Sequence, residues 1–396
     1  MVDKIRLGFV GANVHAVWAS QSHYPALLAS PDVEVTAVCT TRRESAEEAR
    51  EALGARLAFS DWREMVVSPE IDAVAVVVRV PEHYGPTRAA LEASKHVYTE
   101  WPLGRTTAEA EELANLARSA GVRTVVGLQS RVSPTLMQMK ELLGSRYLGE
   151  VLSAHVSGFR VGYSRLPASR TWQADASNGA NTLTIAFGHV VDALRFVAGD
   201  FARVRSLVTT QSPRWYATDS EQTVEVTSPD NVLVSGTLVS GAVASVHVGA
   251  VPWAGSGFRM QVFGSEGTLV VSGSISSQRG ETLQLRAARG THQLVDLEPP
   301  DRFFFVPRDF PRGDPFNVGR CTACSPRAFG PAAASRLPSK LQWVCIGSST
   351  RCGNRPRRAT RCGLSNRCWK WARPLGPAYR AAPGASGPHR PGDRRA

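Results

Sequence analysis

A glycine-centred turn near the start of the chain has the residue types that hold a phosphate group. Gly11, Ala12 and Asn13 follow the apolar run Ile5–Val10, and Ala16 opens a stretch of helical composition. A strand, a tight turn and a helix in this order place a pyrophosphate on the first backbone amides of the helix. Asn13 takes the second glycine position, and Asn tolerates positive φ better than most residues. We expect Gly11, Ala12 and Asn13 to contact a dinucleotide.

The end of the next predicted strand indicates which dinucleotide. Thr40, Thr41, Arg42 and Arg43 follow Cys39, at the position where NAD sites usually carry an acid that binds the ribose hydroxyls. Hydroxyl groups followed by guanidinium groups suit a 2′-phosphate, so the sequence favours NADP and leaves NAD open. The alternative is that both arginines are solvated residues at the start of a helix.

Alternating strands and helices must position these turns. Fully apolar strands between helical stretches predict a parallel sheet covered on both faces, a Rossmann domain over residues 1–125. The predicted helices are Ala16–Leu28, Glu44–Leu53, Thr87–Ser94 and Thr107–Ala120, and the strands are Ile5–Val10, Val33–Val38, Ala73–Val78, His96–Thr99 and Thr124–Leu128.

The pattern changes after Ser133. Helices are predicted at Pro134–Leu143 and Gly188–Val197, and short strands separated by Gly, Ser, Pro or Asn run from Val204 to Arg286. Residues 126–318 are therefore predicted to form an α+β domain with a large, mostly antiparallel open sheet.

Residues 319–396 show no periodicity and are predicted to form a disordered basic tail. Three explanations compete: a genuine basic tail, a zinc module and translation in the wrong reading frame. The zinc module is the weakest, because Cys321 and Cys324 have no partner pair at ligand spacing. A shifted frame permits the amphipathic sequence Val-Tyr-Arg-Val-Phe-Ala-Glu-Gly-Leu-Arg from residue 321 onward, so the out-of-frame explanation is favoured. Resequencing the coding DNA tests it.

The net charge of +12 is concentrated in that tail. Residues 320–396 contain 16 Lys or Arg and one acid, Asp393, whereas the rest contains 30 basic and 33 acidic residues, so nucleic acid is not an expected partner. Cys39 is the only cysteine before residue 321, which fits a reducing, cytoplasmic location. No run approaches the roughly 18 apolar residues of a membrane span, and no membrane association is predicted.

Several motifs in a fixed order resemble the Gfo/Idh/MocA family, which comprises glucose–fructose oxidoreductase, inositol dehydrogenase and relatives. The resemblance covers about residues 4–318. Within the family, the chain is similar to the branch of the yeast galactose-regulon repressor, which binds a dinucleotide and regulates transcription by protein contact. Besides the Gly11 turn, the motifs are Val-Pro81-Glu-His83-Tyr, Glu100-Trp101-Pro102-Leu, Gly127-Leu-Gln-Ser-Arg131 and Asn178-Gly-Ala-Asn181-Thr-Leu-Thr-Ile-Ala-Phe-Gly-His189.

The resemblance implies roles for residues far apart in sequence. His83, Glu100 and Trp101 correspond to positions near the nicotinamide end of the cofactor, and His189 corresponds to the catalytic histidine. Family enzymes carry Lys where this chain has Trp101, and Asp where it has Ile185. Two of three catalytic positions are therefore replaced by side chains that cannot transfer a proton.

Further residues are candidates for the substrate side of the site. Arg170, Trp172 and Asn181, together with Tyr163, are expected to line a substrate cleft. Asp192 lies one helical turn after His189 and is expected either to orient the imidazole or to cap locally. No metal site is predicted.

Two functions follow from these features. The first is an NAD(P)-dependent oxidoreductase acting on a sugar- or polyol-like C–OH group. The alternative is a catalytically silent NAD(P)-binding co-regulator of transcription that acts through a regulatory protein partner. Family members often pair through the open face of the second sheet, so the resemblance also implies a homo-oligomer.

Overall fold

The computed structural model describes residues 4–162, 164–274, 283–307 and 309–329, with side chains described up to Thr322. All of these residues fall in one compact unit.

The apolar runs of the first third of the chain form a six-stranded parallel sheet, sheet A. Its strand order is β3-β2-β1-β4-β5-β6, which reverses direction beside β1, as in a doubly wound nucleotide-binding sheet. The predicted Rossmann topology is confirmed. The strands are β1 (Ile5–Val10), β2 (Val33–Cys39), β3 (Leu57–Phe59), β4 (Ala73–Val76), β5 (His96–Glu100) and β6 (Thr124–Gly127).

Helices cover both faces of sheet A. The first of them is irregular, because a π-helical turn at Ala19–His23 precedes the α-helical residues. Such turns shift the side chains that follow and are frequent at functional sites. The helices are α1 (Tyr24–Leu28), α2 (Arg43–Leu53), α3 (Trp62–Val66), α4 (Tyr84–Glu92) and α5 (Thr107–Ala120).

Adjacent residues of β1 belong to different hydrophobic clusters. Phe9 packs in a cluster with Tyr24 of α1, whereas Val10 packs in a second cluster with Leu91 of α4. A strand buried on both faces requires apolar residues at consecutive positions, which explains the uninterrupted apolar runs of the sequence.

The later part of the chain contains an eight-stranded sheet, sheet B, in the order β17-β16-β15-β14-β7-β13-β12-β9, and a three-stranded sheet in the order β11-β10-β8. The mostly antiparallel prediction is confirmed, with one parallel pair, β7 and β13, inside sheet B. The strands are β7 (Val151–Val161), β8 (Arg165–Leu166), β9 (Phe201–Thr209), β10 (Arg214–Ala217), β11 (Gln222–Glu225), β12 (Asn231–Leu238), β13 (Val243–Val251), β14 (Gly257–Gly264), β15 (Gly267–Gly273), β16 (Gln284–Arg289) and β17 (Val295–Leu297).

One face of sheet B carries the core of this part of the chain. The helices α6 (Pro134–Gly144) and α7 (Gly188–Ala198) pack on it, and Leu136, Leu194 and Phe258 are among the residues they bury. The alternating burial along β14 shows that the other face remains more exposed.

The last described helix, α8 (Asp314–Phe329), crosses the predicted start of the tail at residue 319. Phe316 and Val318 pack against α1, and Arg320 is fully buried, with its guanidinium donating to the Phe303 carbonyl. Tertiary contacts thus stabilise a helix in a segment without sequence periodicity. The predicted boundary after residue 125 likewise falls inside β6. The predicted tail from residue 330 lies outside the described residues.

Candidate functional site

The turn after β1 has a backbone conformation that favours glycine. Gly11 has φ of +89°, and a Cβ there would lie 2.1 Å from the Val77 carbonyl oxygen. Its amide donates to the Cys39 carbonyl oxygen over 2.9 Å. Gly11 therefore joins the ends of β2, β1 and β4 at the carboxyl edge of sheet A, where open α/β sheets bind ligands.

The two residues after Gly11 shape the rest of the turn. Ala12 is buried, and its carbonyl oxygen accepts a hydrogen bond from the Tyr24 hydroxyl at 3.0 Å. The Asn13 side chain accepts one from the His15 amide at 2.8 Å. Asn13 is not among the described non-glycine residues with positive φ, so the tolerance expected of it is not used. Its side chain instead makes a local turn that holds the backbone in place.

Of the four residues after β2, Thr40 is buried and the other three are exposed. The Thr40 hydroxyl is buried and donates to the Arg42 carbonyl oxygen at 2.9 Å. Arg43 pairs with Glu47 at 2.5 Å. Thr41 and Arg42 are exposed, and the Arg42 guanidinium makes no hydrogen bond or ion pair with the described part of the chain. Arg42 is therefore the residue of this corner that is available to an anion.

His83 connects two loops at the same edge. Its Nδ1 lies 2.6 Å from the Pro102 carbonyl oxygen and its Nε2 lies 3.0 Å from the Val78 carbonyl oxygen. Burial lowers the pKa of His83, since an apolar surrounding disfavours the charged form. A neutral imidazole carries one N–H and donates to only one of these carbonyl oxygens. The ring lies between the loop after β4 and the loop after β5, and both loops border the predicted nicotinamide end.

A buried hydrogen-bonded cluster surrounds Glu100 at the end of β5. Oε1 of Glu100 lies 2.7 Å from Nε2 of His23 and accepts a hydrogen bond from the Tyr98 hydroxyl at 2.8 Å. Nε2 of Gln129 donates to the other carboxylate oxygen at 3.2 Å. The cluster ties the π-helical turn before α1 to β5 and to the loop after β6.

The cluster keeps Glu100 ionised. Burial alone would raise the pKa of this carboxyl, but the hydrogen bonds from His23, Tyr98 and Trp18 lower it to about 2. A carboxylate so held is a poor proton acceptor at neutral pH. Glu100 is therefore suited to positioning its neighbours rather than to acting as a base.

Trp101 and His189 lie next to each other although they are distant in sequence. Nε1 of Trp101 donates to the Thr184 carbonyl oxygen at 2.8 Å, and a Cβ at Gly188 would lie 2.6 Å from the same nitrogen. The ring centroids of Trp101 and His189 are 6.5 Å apart. An indole has a hydrogen-bond donor and no acceptor, so Trp101 cannot replace a proton-transferring lysine.

The residues around His189 on α7 have separate tasks. His189 is 5% exposed. Asp192 is equally buried, but Nη2 and Nε of Arg131 donate to its carboxylate at 2.5 Å and 2.8 Å. The Asp192 carboxylate thereby joins α7 to the loop after β6. Ile185, four residues before His189, is half-buried and supplies no polar group.

The predicted substrate residues are spread over one segment of the chain. Arg170 is exposed, and Trp172 is half-buried with the Arg79 guanidinium 5.2 Å from its ring centroid. Asn181 is buried and caps the helical turn that follows, its Oδ1 accepting a backbone hydrogen bond at 3.1 Å. The Asn181 side chain thus stabilises its own segment, and its role toward a substrate stays a prediction. Tyr163 lies outside the described residues.

Three residues at this edge are absent from the sequence-based site. His23 carried a signal, because it is a polar side chain inside an apolar helical stretch, where a buried partner is required. Arg79 and Arg131 carried none, since each is a single basic residue in a loop whose partner lies about 60 to 90 positions further along the chain.

The described residues contain neither a metal-binding cluster nor a membrane-spanning helix. No group of three or more His, Cys, Asp or Glu side chains in this part of the chain could hold a metal ion. No helix within it is long and apolar enough to cross a membrane. Of the cysteines weighed as zinc ligands, only the buried Cys321 has a described side chain.

The doubly wound sheet and the Gly11 turn define a dinucleotide-binding protein, and comparison with known proteins identifies the family. Residues 5–128 match the model of the oxidoreductase family with an NAD-binding Rossmann fold. Residues 134–273 match the model of the C-terminal domain of Gal80p.

Relatives extend this result over both matched regions. Dehydrogenase aclE of Aspergillus oryzae is 31% identical over 285 residues, which cover 69% of this chain and 78% of that protein. The chain therefore belongs to the Gfo/Idh/MocA oxidoreductase family. The galactose/lactose metabolism regulatory protein GAL80 of Saccharomyces cerevisiae is 32% identical over 256 residues, covering 60% of this chain and 59% of that protein, less than two thirds of its length.

A solved structure confirms the fold. The super-repressor mutant Gal80(S2) of Gal80p from Saccharomyces cerevisiae aligns with a TM-score of 0.74 and 24% identity, covering 87% of this chain and 91% of that chain. The two share the arrangement of a Rossmann sheet followed by a large open sheet.

The geometry at the edge of sheet A fits a dinucleotide. The glycine turn brings backbone rather than side chains to the end of β1, and the free Arg42 guanidinium lies at the end of the neighbouring β2. The loops on either side of His83 lie at the ends of β4 and β5. A phosphate, a ribose and a nicotinamide ring would meet these three places in turn along the edge.

Proposed function

We propose that this protein is an NAD(P)-dependent oxidoreductase acting on a sugar- or polyol-like C–OH group. The observation that carries the proposal is the position of His189, a buried imidazole with its ring centroid 6.5 Å from that of Trp101 at the end of β5. Relatives named for such chemistry support it, among them levoglucosan dehydrogenase of Pseudarthrobacter phenanthrenivorans, 25% identical over 269 residues.

The proposed roles divide between cofactor and protein. The chemistry that the dinucleotide supplies when bound is hydride transfer at the nicotinamide ring. His189 accepts the hydroxyl proton as the substrate C–OH becomes a carbonyl, and returns it in the reverse direction. Trp101 excludes water from one side of His189, and Glu100 holds the π-helical turn and the end of β5 in register.

Within this proposal, the cofactor is held by Gly11, Ala12, Asn13, Thr41 and Arg42, with NADP preferred over NAD. The support is the exposed Arg42 guanidinium, which has no partner among the described residues, whereas Arg43 pairs with Glu47. NAD stays open, since levoglucosan dehydrogenase, a protein with this fold, was solved in complex with NADH.

A second function is favoured by a specific observation. Trp101 and Ile185 replace the Lys and Asp of family enzymes, and a regulatory protein of galactose metabolism is among the relatives. In this case the dinucleotide is a ligand that biases contact with a protein partner. Under either function we propose a cytoplasmic protein, based on the sparse cysteines of residues 1–320, that associates with copies of itself.

The test is dinucleotide reduction over a panel of sugars and polyols that includes levoglucosan, D-glucose, D-galactose and myo-inositol. We expect the wild type to turn over at least one of them, and His189→Ala to lower kcat by about 100-fold or more, because a general base contributes at least that factor. His155→Ala is the matched control, since His155 lies on β7, where its Nδ1 lies 2.8 Å from the Ser245 hydroxyl.

Two outcomes would decide against the enzyme. An unchanged kcat in His189→Ala would remove His189 from the reaction. Absence of turnover over the whole panel, together with micromolar binding of NADPH or NADH measured by calorimetry, would favour the regulator instead.

A further inference from the structure

Arg79 makes a contact that the proposed reaction does not yet use. It follows β4 by three residues and precedes the helical turn Val80–Glu82. Val77 lies two residues before Arg79, and its carbonyl oxygen is 2.1 Å from the position that a Cβ at Gly11 would take. Arg79 is therefore within a few residues of the turn proposed to hold the dinucleotide, although its side chain points to another part of the chain.

The Arg79 side chain reaches the segment predicted to line the substrate cleft. Its Nη2 donates to the Ser169 carbonyl oxygen at 3.2 Å, and its guanidinium lies 5.2 Å from the centroid of the Trp172 ring. The second distance is within the range at which a guanidinium and an aromatic face attract each other. One side chain from the edge of sheet A thus holds both the backbone and the indole of this segment.

The segment Ala168–Ala174 is anchored at its two ends by other elements. The Ala168 amide donates to Asp219 at 2.7 Å, and the Ser228 hydroxyl donates to the Gln173 carbonyl oxygen at 2.6 Å. These bonds fix where the segment begins and ends. Nδ2 of Asn178 donates to the Trp172 carbonyl oxygen at 2.7 Å, and Arg79 adds the contact to the Trp172 ring.

Two contacts to the later chain come from loops that follow neighbouring strands of sheet A. Trp101, after β5, holds the turn that leads to His189, and Arg79, after β4, holds Trp172. β4 and β5 are hydrogen-bonded neighbours, about 4.8 Å apart. Trp172 and His189 are consequently tied to adjacent strand ends beside the predicted nicotinamide position.

We propose that Arg79 is a positioning residue that fixes the Trp172 indole as one wall of the substrate site. A sugar or polyol carries C–H groups that pack on an aromatic face, and an indole held by Arg79 on one side presents such a surface. The substrate would lie against Trp172 with its reacting hydroxyl toward His189. This inference rests on the proposed function and deepens it, because it assigns substrate binding to a residue pair outside the catalytic positions.

The test separates substrate binding from cofactor binding. With the panel sugar that the wild type oxidises fastest, we expect Arg79→Ala to raise KM by about 10-fold while kcat falls by less than about 3-fold. The Kd for NADPH should stay within about 2-fold of wild type. Trp172→Ala should raise KM by a similar factor, and Trp172→Phe should raise it much less, because it keeps an aromatic face. The KM of the double variant Arg79→Ala with Trp172→Ala should not exceed the higher KM of the two single variants.

A control variant removes the same kind of contact elsewhere. The Arg63 guanidinium lies 4.3 Å from the Trp62 ring centroid on α3, and Arg63→Ala should leave KM unchanged. An unchanged KM in Arg79→Ala would overturn the proposal. So would a rise in KM accompanied by a comparable fall in kcat, weaker NADPH binding and a lower Tm, because that pattern is typical of a purely structural residue.

Hydrogen exchange separates this inference from the proposed function. If the wild type binds NADPH without turning over any sugar, the enzyme proposal fails, and the amides of residues 168–174 then decide about Arg79. Slower exchange of these amides in the wild type than in Arg79→Ala, with Arg79→Lys between the two, supports positioning. Exchange at the same rate in all three proteins contradicts it.

Discussion

The two large sheets of this protein bury their side chains in different ways. In β4 of sheet A all four residues are buried, because helices lie on both faces. In β14 of sheet B buried and partly exposed residues alternate, because α6 and α7 cover one face. The first sheet has no free face and offers a ligand only its carboxyl edge, whereas the second has a whole face open to a partner.

This difference separates the places where small and large ligands can bind. The edge of sheet A carries Gly11 and Arg42 after β1 and β2, and Glu100 and Trp101 at the end of β5. The outer face of sheet B carries half-buried polar side chains such as His155 and His247, hydrogen-bonded to neighbouring strands. A dinucleotide fits the edge, and the proposed association with a protein molecule would use the face.

The largest expected effects come from substitutions in the two sheets. In sheet A, Phe9→Ala and Val10→Ala should both destabilise, because both residues are buried although they face opposite ways. In sheet B, Phe258→Ala should cost about 3 to 5 kcal/mol and Phe263→Ala about 1 kcal/mol or less. Phe258 is 1% exposed and Phe263 is 37% exposed. Urea unfolding measures all four.

Phe258 and Phe263 are matched controls for each other, since both lie on β14. If Phe263→Ala costs as much as Phe258→Ala, the outer face of sheet B is covered in solution. The comparison between a two-sided and a one-sided sheet would then hold only for the isolated chain, and dilution should change the unfolding midpoint.

The next effect concerns the charged cluster at the end of β5. Glu100→Gln should destabilise the protein by about 3 kcal/mol at pH 7, because it leaves His23 buried without its anionic partner. The pKa of Glu100 is lowered from 4.5 to about 2 in the folded chain. Its stabilising contribution is therefore complete above about pH 4.5 and is lost as the pH falls toward 2.

Urea unfolding of both proteins as a function of pH checks this prediction. The difference in unfolding free energy between wild type and Glu100→Gln should shrink as the pH falls through that range. Glu92→Gln is the control, because the Arg88–Glu92 pair is about half exposed on both sides and should contribute much less than the buried cluster. Equal losses in the two variants would mean that the buried cluster does not stabilise sheet A more than a surface pair does.

The smallest effect sharpens the assignment of the edge as a cofactor site. Arg42→Ala should weaken NADPH binding by about 10-fold, the loss of one charged contact to a 2′-phosphate, and leave NADH binding unchanged. Arg43→Ala, whose guanidinium is paired with Glu47, should change either Kd by less than about 2-fold. Calorimetric titration measures the four constants, and tighter binding of NADH than of NADPH by the wild type would refute the NADP preference.

Much of the fold could be predicted because its signals are local. Continuous apolar runs indicated the parallel sheet, and the change to short alternating strands indicated the second sheet. The Gly11 turn could be predicted because close approach of the Val77 carbonyl and a φ of +89° leave room only for glycine. The strand order of sheet B had no such local signal, since β7 pairs with β13 and β14, about 100 residues away.

The candidate site was predicted in part. The family motifs indicated Glu100, Trp101 and His189, and the structure places Trp101 against His189. The partners that decide what these residues can do were not visible in the motifs. Asp192 is bound by Arg131, Glu100 by His23, and Trp172 by Arg79.

The sequence by itself indicated most of the strands and helices, though not β3 or α3, and the glycine at the turn after β1. These are properties of residue type and of spacing within a few positions. The loss of proton-transferring groups at positions 101 and 185 follows from the resemblance to family enzymes. Only the tertiary structure decided which side chains became partners, how far the last helix extends past residue 319, and that Arg42 rather than Arg43 is left free. Those outcomes depend on burial, because a buried polar group without a hydrogen bond destabilises the fold. Its partner is therefore a group that the fold places within hydrogen-bond distance.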